Sequence, residues 1–168
     1  MSEITTYINV FSEQDQNKIW SFLRSDNWSF GQNSNPQSPK RFWSMDFSKN
    51  EFFTEHLFGI IKNVIGDKYS LERVYANGQT YGLDGEIHQD ASDDYGYTFL
   101  YYPSKEWRVE WGGFTLVYDG THLRTFLPGP NTAIMFPGKY FHCGEGPTRE
   151  FYDLRISIAY KLRLSTDT

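Results

Sequence analysis

A single cysteine, Cys143, stands among 168 residues, so no internal disulfide can form and no zinc or iron–sulfur site built from several cysteines is available. A reducing, cytoplasmic setting is the expectation. No apolar run approaches the length that crosses a bilayer, and Met1-Ser2-Glu3 does not open a basic segment followed by an apolar stretch. A chain with no membrane span and no processing is expected. Tracts rich in Lys and Arg are also missing. With a formal charge of -5, the surface on average repels phosphate backbones, which disfavours nucleic acid as a partner. There is no internal repeat, and the one compositionally biased segment lies at 31–40.

What the chain has in plenty is aromatic residues, 18% of the total. Phe and Tyr bring large buried areas and high strand propensity, so a mainly β core is expected. The length and mixed composition predict one domain over residues 1–168. Residues 4–10 are β-branched and aromatic and read as a strand. Ser12-Glu13-Gln14-Asp15 then caps a helix that runs to about residue 24, with Ile19, Trp20 and Leu23 on one face. Residues 31–40 contain two prolines and no apolar residue, which predicts an exposed loop. Asn50 caps a second helix in which Phe53, Leu57, Ile60, Ile61 and Val64 recur until Gly66 ends the pattern. From residue 69 the pattern changes to short strands at 70–75, 85–89, 97–102, 114–118, 132–136 and 153–162. Turn signals such as Asp84-Gly85, Asp119-Gly120 and Pro128-Gly129-Pro130 separate them. Many short strands behind two amphipathic helices predict a sandwich or barrel with the helices against one sheet.

His88-Gln89-Asp90 can bring an imidazole and a carboxylate to one face of a strand, because residues two apart project the same way. His142 supplies a third ligand if the fold brings it close, completing the two-histidine, one-carboxylate set that leaves open positions on Fe(II). In Arg155-Ile156-Ser157-Ile158-Ala159-Tyr160, alternation places Arg155 and Ser157 on one face. A guanidinium inside a barrel needs an anion, and a dicarboxylate would suit its fork. Each piece has a plainer reading as well. The triplet also suits a polar strand end, His142 a structural histidine, and Arg155 an exposed edge position. His56 and His122 read as solvated, and Cys143 as packing.

The ordered set is His88-x-Asp90, Thr98-Phe99-Leu100-Tyr101-Tyr102, Glu106-Trp107, Trp111-Gly112-Gly113-Phe114-Thr115, Phe136-Pro137, His142 and Arg155-x-Ser157. It resembles the iron(II)/2-oxoglutarate-dependent oxygenases, and within them the prolyl 4-hydroxylase-like branch, over about residues 72–162. Arginine in place of the lysine of some prolyl hydroxylases places the chain nearer the sensor-type and bacterial or phage-like members. The resemblance implies a double-stranded β-helix, or jelly roll, with N-terminal helices packed on one sheet. It implies that His88, Asp90 and His142 bind Fe(II), and that Arg155 and Tyr102 hold the distal carboxylate of the cosubstrate 2-oxoglutarate. Ser157 could add a hydrogen bond, Thr98 and Leu100 are candidates to line that pocket, and Gly112-Gly113 would allow close backbone approach. The implied reaction uses dioxygen, with ascorbate in support, and hydroxylates a substrate C–H; Asp90 speaks for hydroxylation over halogenation. The implied substrate is a prolyl residue of a peptide or protein. A free amino acid or other small molecule, an AlkB-type nucleic-acid demethylase and a non-catalytic jelly-roll binding module remain as alternatives. The demethylase predicts a second arginine six residues after Arg155, where this chain has Lys161.

Overall fold

Alternation of side chains decides most of this structure, a computed structural model that describes residues 4–34 and 36–165. Met1–Glu3, on which the reading of the N-terminus rests, and Asn35 of the polar loop lie outside the described residues. In chain order the elements are β1 (Thr5–Ile8), α1 (Glu13–Leu23), β2 (Ser29–Gln32), β3 (Phe42–Asp46), a π-helical turn (Phe52–Leu57) running into α2 (Phe58–Ile65), then β4 (Tyr69–Gln79) and β5 (Gly96–Tyr102). They continue with β6 (Thr115–Tyr118), β7 (Leu123–Phe126), β8 (Thr132–Pro137), β9 (Phe141–Gly144) and β10 (Arg155–Leu164). The strands form two antiparallel sheets, β1-β8-β5-β10-β4-β3-β2 and β7-β6-β9.

The large sheet has two apolar faces with different partners. Val74, Ala76, Phe99, Tyr101, Ile156, Ile158 and Tyr160 face the helices, where Ile19, Leu23, Phe53, Leu57 and Ile61 complete one core. The intervening residues Leu100, Tyr102, Ile134, Phe136 and Ala159 face the small sheet and meet Val117. The one-residue alternation of β5, β8 and β10 therefore sorts each strand between helix side and cavity side. Both helix starts follow their capping signals. Ser12 Oγ accepts from the Asp15 N–H at 3.1 Å, and Asn50 Oδ1 accepts from the Phe52 N–H at 3.1 Å. Gly66 ends α2 with φ +94°, a conformation that favours glycine.

The structure corrects four local expectations. The π-helical turn inserts extra residues per turn, so the buried stripe of the second helix moves on to Phe58 and leaves Val64 56% exposed. Residues 85–89 form no regular strand; His88 pairs with His142 in an isolated two-hydrogen-bond bridge, flanked by bonds from Gly85 to Gly144 and from Asp90 to Gly138. The segment at 31–40 is exposed only in part. Gly31 and Gln32 complete β2, and Ser38 is buried with its hydroxyl donating to Glu86 Oε2 at 3.1 Å. Strands β2, β3 and β7 were not expected, because runs of four or five residues carry little alternation to read.

Phe53 is fully buried and stacks on Phe47 with ring centroids 3.8 Å apart. Phe53→Ala is expected to lower unfolding free energy by about 3–5 kcal/mol through the lost transfer energy and the cavity left behind. Chemical denaturation followed by fluorescence measures it, and a loss under about 1 kcal/mol would show that the helix layer collapses around the gap. No helix among the described residues is long and apolar enough to cross a membrane.

Candidate functional site

Between the two sheets lies a cavity of about 330 Å³, lined from both by polar side chains. β10 contributes Arg155, Ser157, Ala159 and Lys161, the residues that alternation assigns to one face. β4 contributes Arg73, Tyr75, Asn77 and Gln79, and β5 contributes Thr98 and Leu100. Gln32, Asn33, Ser34 and Pro36 close one side, so the polar segment after β2 covers the site instead of standing free in solvent.

His88, Asp90 and His142 converge on this cavity, with their ligand atoms all within 4.8 Å of one another. The bridge between His88 and His142 sets the two rings side by side, with centroids 4.3 Å apart. His88 Nδ1 lies 2.9 Å from the Glu86 carbonyl, and His142 Nδ1 lies 2.8 Å from the Tyr140 carbonyl. A carbonyl can only accept, so both Nδ1 atoms carry a proton, and each ring in its neutral form points an Nε2 lone pair at Asp90. Those Nε2 atoms sit 3.3 and 3.1 Å from the two Asp90 oxygens. Three electron-pair donors facing one point repel unless a proton or metal ion lies among them. Burial draws the His142 imidazole below its ordinary value against the opposing pull of Asp90, which favours the neutral, ligating form.

Asp90 is held from its other side. Its Oδ2 accepts from Thr98 Oγ1 at 2.6 Å and from the Lys161 ammonium, and Lys161 Nζ also donates to Thr98 Oγ1 at 3.2 Å. Burial alone would raise the carboxyl; the Lys161 charge beside it outweighs burial and holds the group well below the usual carboxylate range. Asp90 is therefore a carboxylate at neutral pH.

Arg155 occupies the far end of β10's inner face and is 1% exposed. Nε donates to the Gly113 carbonyl at 2.9 Å, Nη1 to Gln79 Oε1 at 3.1 Å and Ser157 Oγ at 3.2 Å, and Nη2 to Thr115 Oγ1 at 2.7 Å. Every acceptor is neutral. Among the described residues no carboxylate comes within ion-pair distance of this guanidinium. Burial lowers its proton affinity, yet arginine stays charged in proteins. Gly113, at φ +66°, lets the backbone approach, since a Cβ there would stand 3.1 Å from Arg155 Cγ. Tyr102, 1% exposed, donates its hydroxyl to Thr115 Oγ1 at 2.7 Å. Asn77 Oδ1 is buried against the same cavity with no hydrogen-bond partner.

The structure thus brings together His88, Asp90, His142, Arg155, Ser157, Thr98 and Leu100 on one cavity, with Tyr102 reaching it through Thr115. Thr98 uses its hydroxyl on Asp90. Sequence reasoning assigned nothing to Lys161, Gln79 or Thr115. Lys161 was open to discovery, because it continues the Arg155, Ser157, Ala159 alternation; Gln79 was not, because β4 was expected to stop at 75. His56, read as solvated, is 54% exposed at its side chain but touches Asp15 at 2.7 Å, away from the cavity.

No protein-family model matches the chain, and no curated protein matches it in sequence. Solved structures do match it in fold. A 2OG-Fe(II) oxygenase family oxidoreductase from Burkholderia pseudomallei superposes with a TM-score of 0.74 at 13% identity, over 95% of this chain and 84% of that one. A prolyl hydroxylase from Trichoplax adhaerens, solved with a hypoxia inducible factor oxygen degradation domain peptide fragment, gives 0.74 at 16% identity, over 97% and 84%. HygX from Streptomyces hygroscopicus, solved with nickel, 2-oxoglutarate and hygromycin B, gives 0.67 at 11% identity, over 99% and 85%. Two facing antiparallel sheets with the helices on one of them are the jelly roll these proteins have, and the chain has the double-stranded β-helix fold of the 2OG-Fe(II) oxygenases.

Proposed function

We propose that the chain is a single-domain, Fe(II)- and 2-oxoglutarate-dependent oxygenase that hydroxylates a C–H bond of its substrate. One observation carries this reading: a fully buried arginine with only neutral acceptors opens on the same cavity as two histidines and a carboxylate that face one another. An uncompensated buried charge is costly, and an anionic ligand removes the cost. The residues fit the implied groups. His88, Asp90 and His142 would hold the metal, Arg155 the distal carboxylate of 2-oxoglutarate, and Ser157, Thr98 and Leu100 would border it. Tyr102 orients Thr115 towards the guanidinium. Bound together, the metal, 2-oxoglutarate and dioxygen supply oxidative decarboxylation to succinate and carbon dioxide, with one oxygen atom entering the substrate.

The protein's own part is positioning. The Glu86 and Tyr140 carbonyls fix both imidazole tautomers, as outer partners of metal-binding histidines commonly do. Thr98 and Lys161 fix Asp90. The segment after β2 narrows access for water. The sequence resemblance and the Trichoplax structural neighbour support a prolyl residue of a peptide or protein as the substrate. A second reading, a free amino acid or another small molecule, is supported by the small volume and the charge of the cavity. Anaerobic titration with Fe(II) and then 2-oxoglutarate is expected to produce the weak visible charge-transfer band of a chelate. Absence of the band, with no binding of 2-oxoglutarate by calorimetry, would refute the reading. Ascorbate is expected to prolong turnover without changing the product.

A further inference from the structure

Charge is distributed along the cavity in a way that one cosubstrate does not balance. Its lining carries three cations, Arg73, Arg155 and Lys161, against the single carboxylate of Asp90. A divalent metal and a dianionic cosubstrate neutralise each other, so a surplus of two positive charges remains in a space partly closed to water. The rest of the molecule is acidic, with a formal net charge of -5, which makes this local excess the more distinct.

The surplus is concentrated away from Arg155. Arg155 and Lys161 lie six residues apart on β10, so their Cα atoms are separated by about 20 Å at the rise of an extended strand. Lys161 is the Cα partner of Arg73 on β4. Both cations lie beside the same ring: Arg73 Cζ is 5.2 Å and Lys161 Nζ 5.8 Å from the centroid of Tyr75. Lys161 is committed to Asp90 and Thr98. Arg73 is exposed at the cavity mouth and, among the described residues, makes no hydrogen bond or ion pair. Asp46, the Cα partner of Tyr75 on β3, accepts from the Ser48 N–H at 2.9 Å, and that hydrogen bond, with smaller contributions from the Lys49 and Arg73 charges, holds its carboxyl below the ordinary value; it makes no ion pair with Arg73 among the described residues.

We propose that Arg73 binds a carboxylate of the primary substrate and thereby sets which carbon faces the metal site, so that the substrate is a small free acid. This rests on the oxygenase reading and narrows it. A planar guanidinium with an unused fork is a bidentate match for a carboxylate. The volume of about 330 Å³ must hold cosubstrate and substrate together, which suits a free amino acid better than a peptide segment.

The test uses the full chain in two forms. In the first, protein loaded with Zn(II) and 2-oxoglutarate, which does not turn over, is titrated calorimetrically with a pool of the free L-amino acids, with the same pool as C-terminal amides, and with glycyl dipeptides of free C-terminus. In the second, the Fe(II) protein is given the same pools with oxygen, and products are read by mass spectrometry. The free-acid pool is expected to bind and to gain one oxygen atom, with the amide pool at least tenfold weaker. Arg73→Met is expected to weaken the acid pool at least tenfold while 2-oxoglutarate affinity of the Zn(II) protein stays unchanged, and Arg73→Lys should recover part of the loss. Preference for the dipeptides over the free acids would assign the same carboxylate to a peptide C-terminus and overturn the small-molecule part. Equal use of acids and amides, use of neither, or an equal loss of 2-oxoglutarate affinity in Arg73→Met would overturn the proposal. Failure of the Zn(II) protein to bind 2-oxoglutarate at all would instead refute the oxygenase reading beneath it.

Discussion

Replacing Arg155 with methionine should raise the dissociation constant for 2-oxoglutarate by about 30-fold to several thousand-fold, because truncating one partner of a buried charge pair costs about 2–5 kcal/mol. The side chain is 1% exposed and its fork is already oriented by Gly113, Gln79, Ser157 and Thr115. Little side-chain entropy is then left to lose when the cosubstrate arrives. Methionine has similar bulk, so the fold should persist, but the Gly113 and Gln79 acceptors lose their donor. Arg155→Lys keeps the charge without the fork and should fall between the two. Calorimetry on the Zn(II) protein measures all three. An unchanged affinity in Arg155→Met would remove the cosubstrate from this end of the cavity.

Asp90→Ala should abolish metal binding, by about three orders of magnitude in affinity or more, since the site is left with two imidazoles and the Lys161 cation. The same change has a second, separable effect. Lys161 is buried and, among the described residues, has Asp90 as its only anionic partner, and breaking a buried pair from one side costs about 3–5 kcal/mol. Asp90→Ala should therefore lower stability markedly, whereas Asp90→Ala combined with Lys161→Met should regain most of the stability and none of the metal affinity. Equilibrium dialysis with Fe(II) or Zn(II) and denaturant midpoints read the two effects independently. Retained metal affinity in Asp90→Ala would displace the carboxylate from the ligand set. A double variant no more stable than the single one would show that Lys161 finds water once Asp90 is gone.

The parts of this structure that could be read in the sequence are those where a local pattern and the fold agree. Alternation on β10 places Arg155 and Ser157 on one face and Ile156, Ile158 and Tyr160 on the other, and the structure turns the first to the cavity and the second to the helices. Ser12, Asn50 and Gly66 marked helix ends because capping is a short-range hydrogen-bonding matter. What stayed hidden was long-range. His88 sits in no regular strand, so its meeting with His142 depends on one bridge between segments over fifty residues apart. Thr98 and Leu100, which share a face with Tyr102, do line the cavity, but the Thr98 hydroxyl is drawn to Asp90, which no spacing rule announces. The π-helical turn shifted a stripe that a uniform helical period had carried through to Val64.

The inner face of β10 carries Arg155 at one end and Lys161, the partner of Asp90, at the other, and the strand is paired on both sides by β4 and β5. For the history of such a chain this has an asymmetric result. Point substitutions can alter the grip on a diacid and the bearing of the metal-facing carboxylate one at a time, so the two drift independently. A single inserted or deleted residue between them reverses which side chains look inward for the remainder of the strand, so the two can no longer face the cavity together. Length, more than residue identity, is the inherited property that this strand is least free to change.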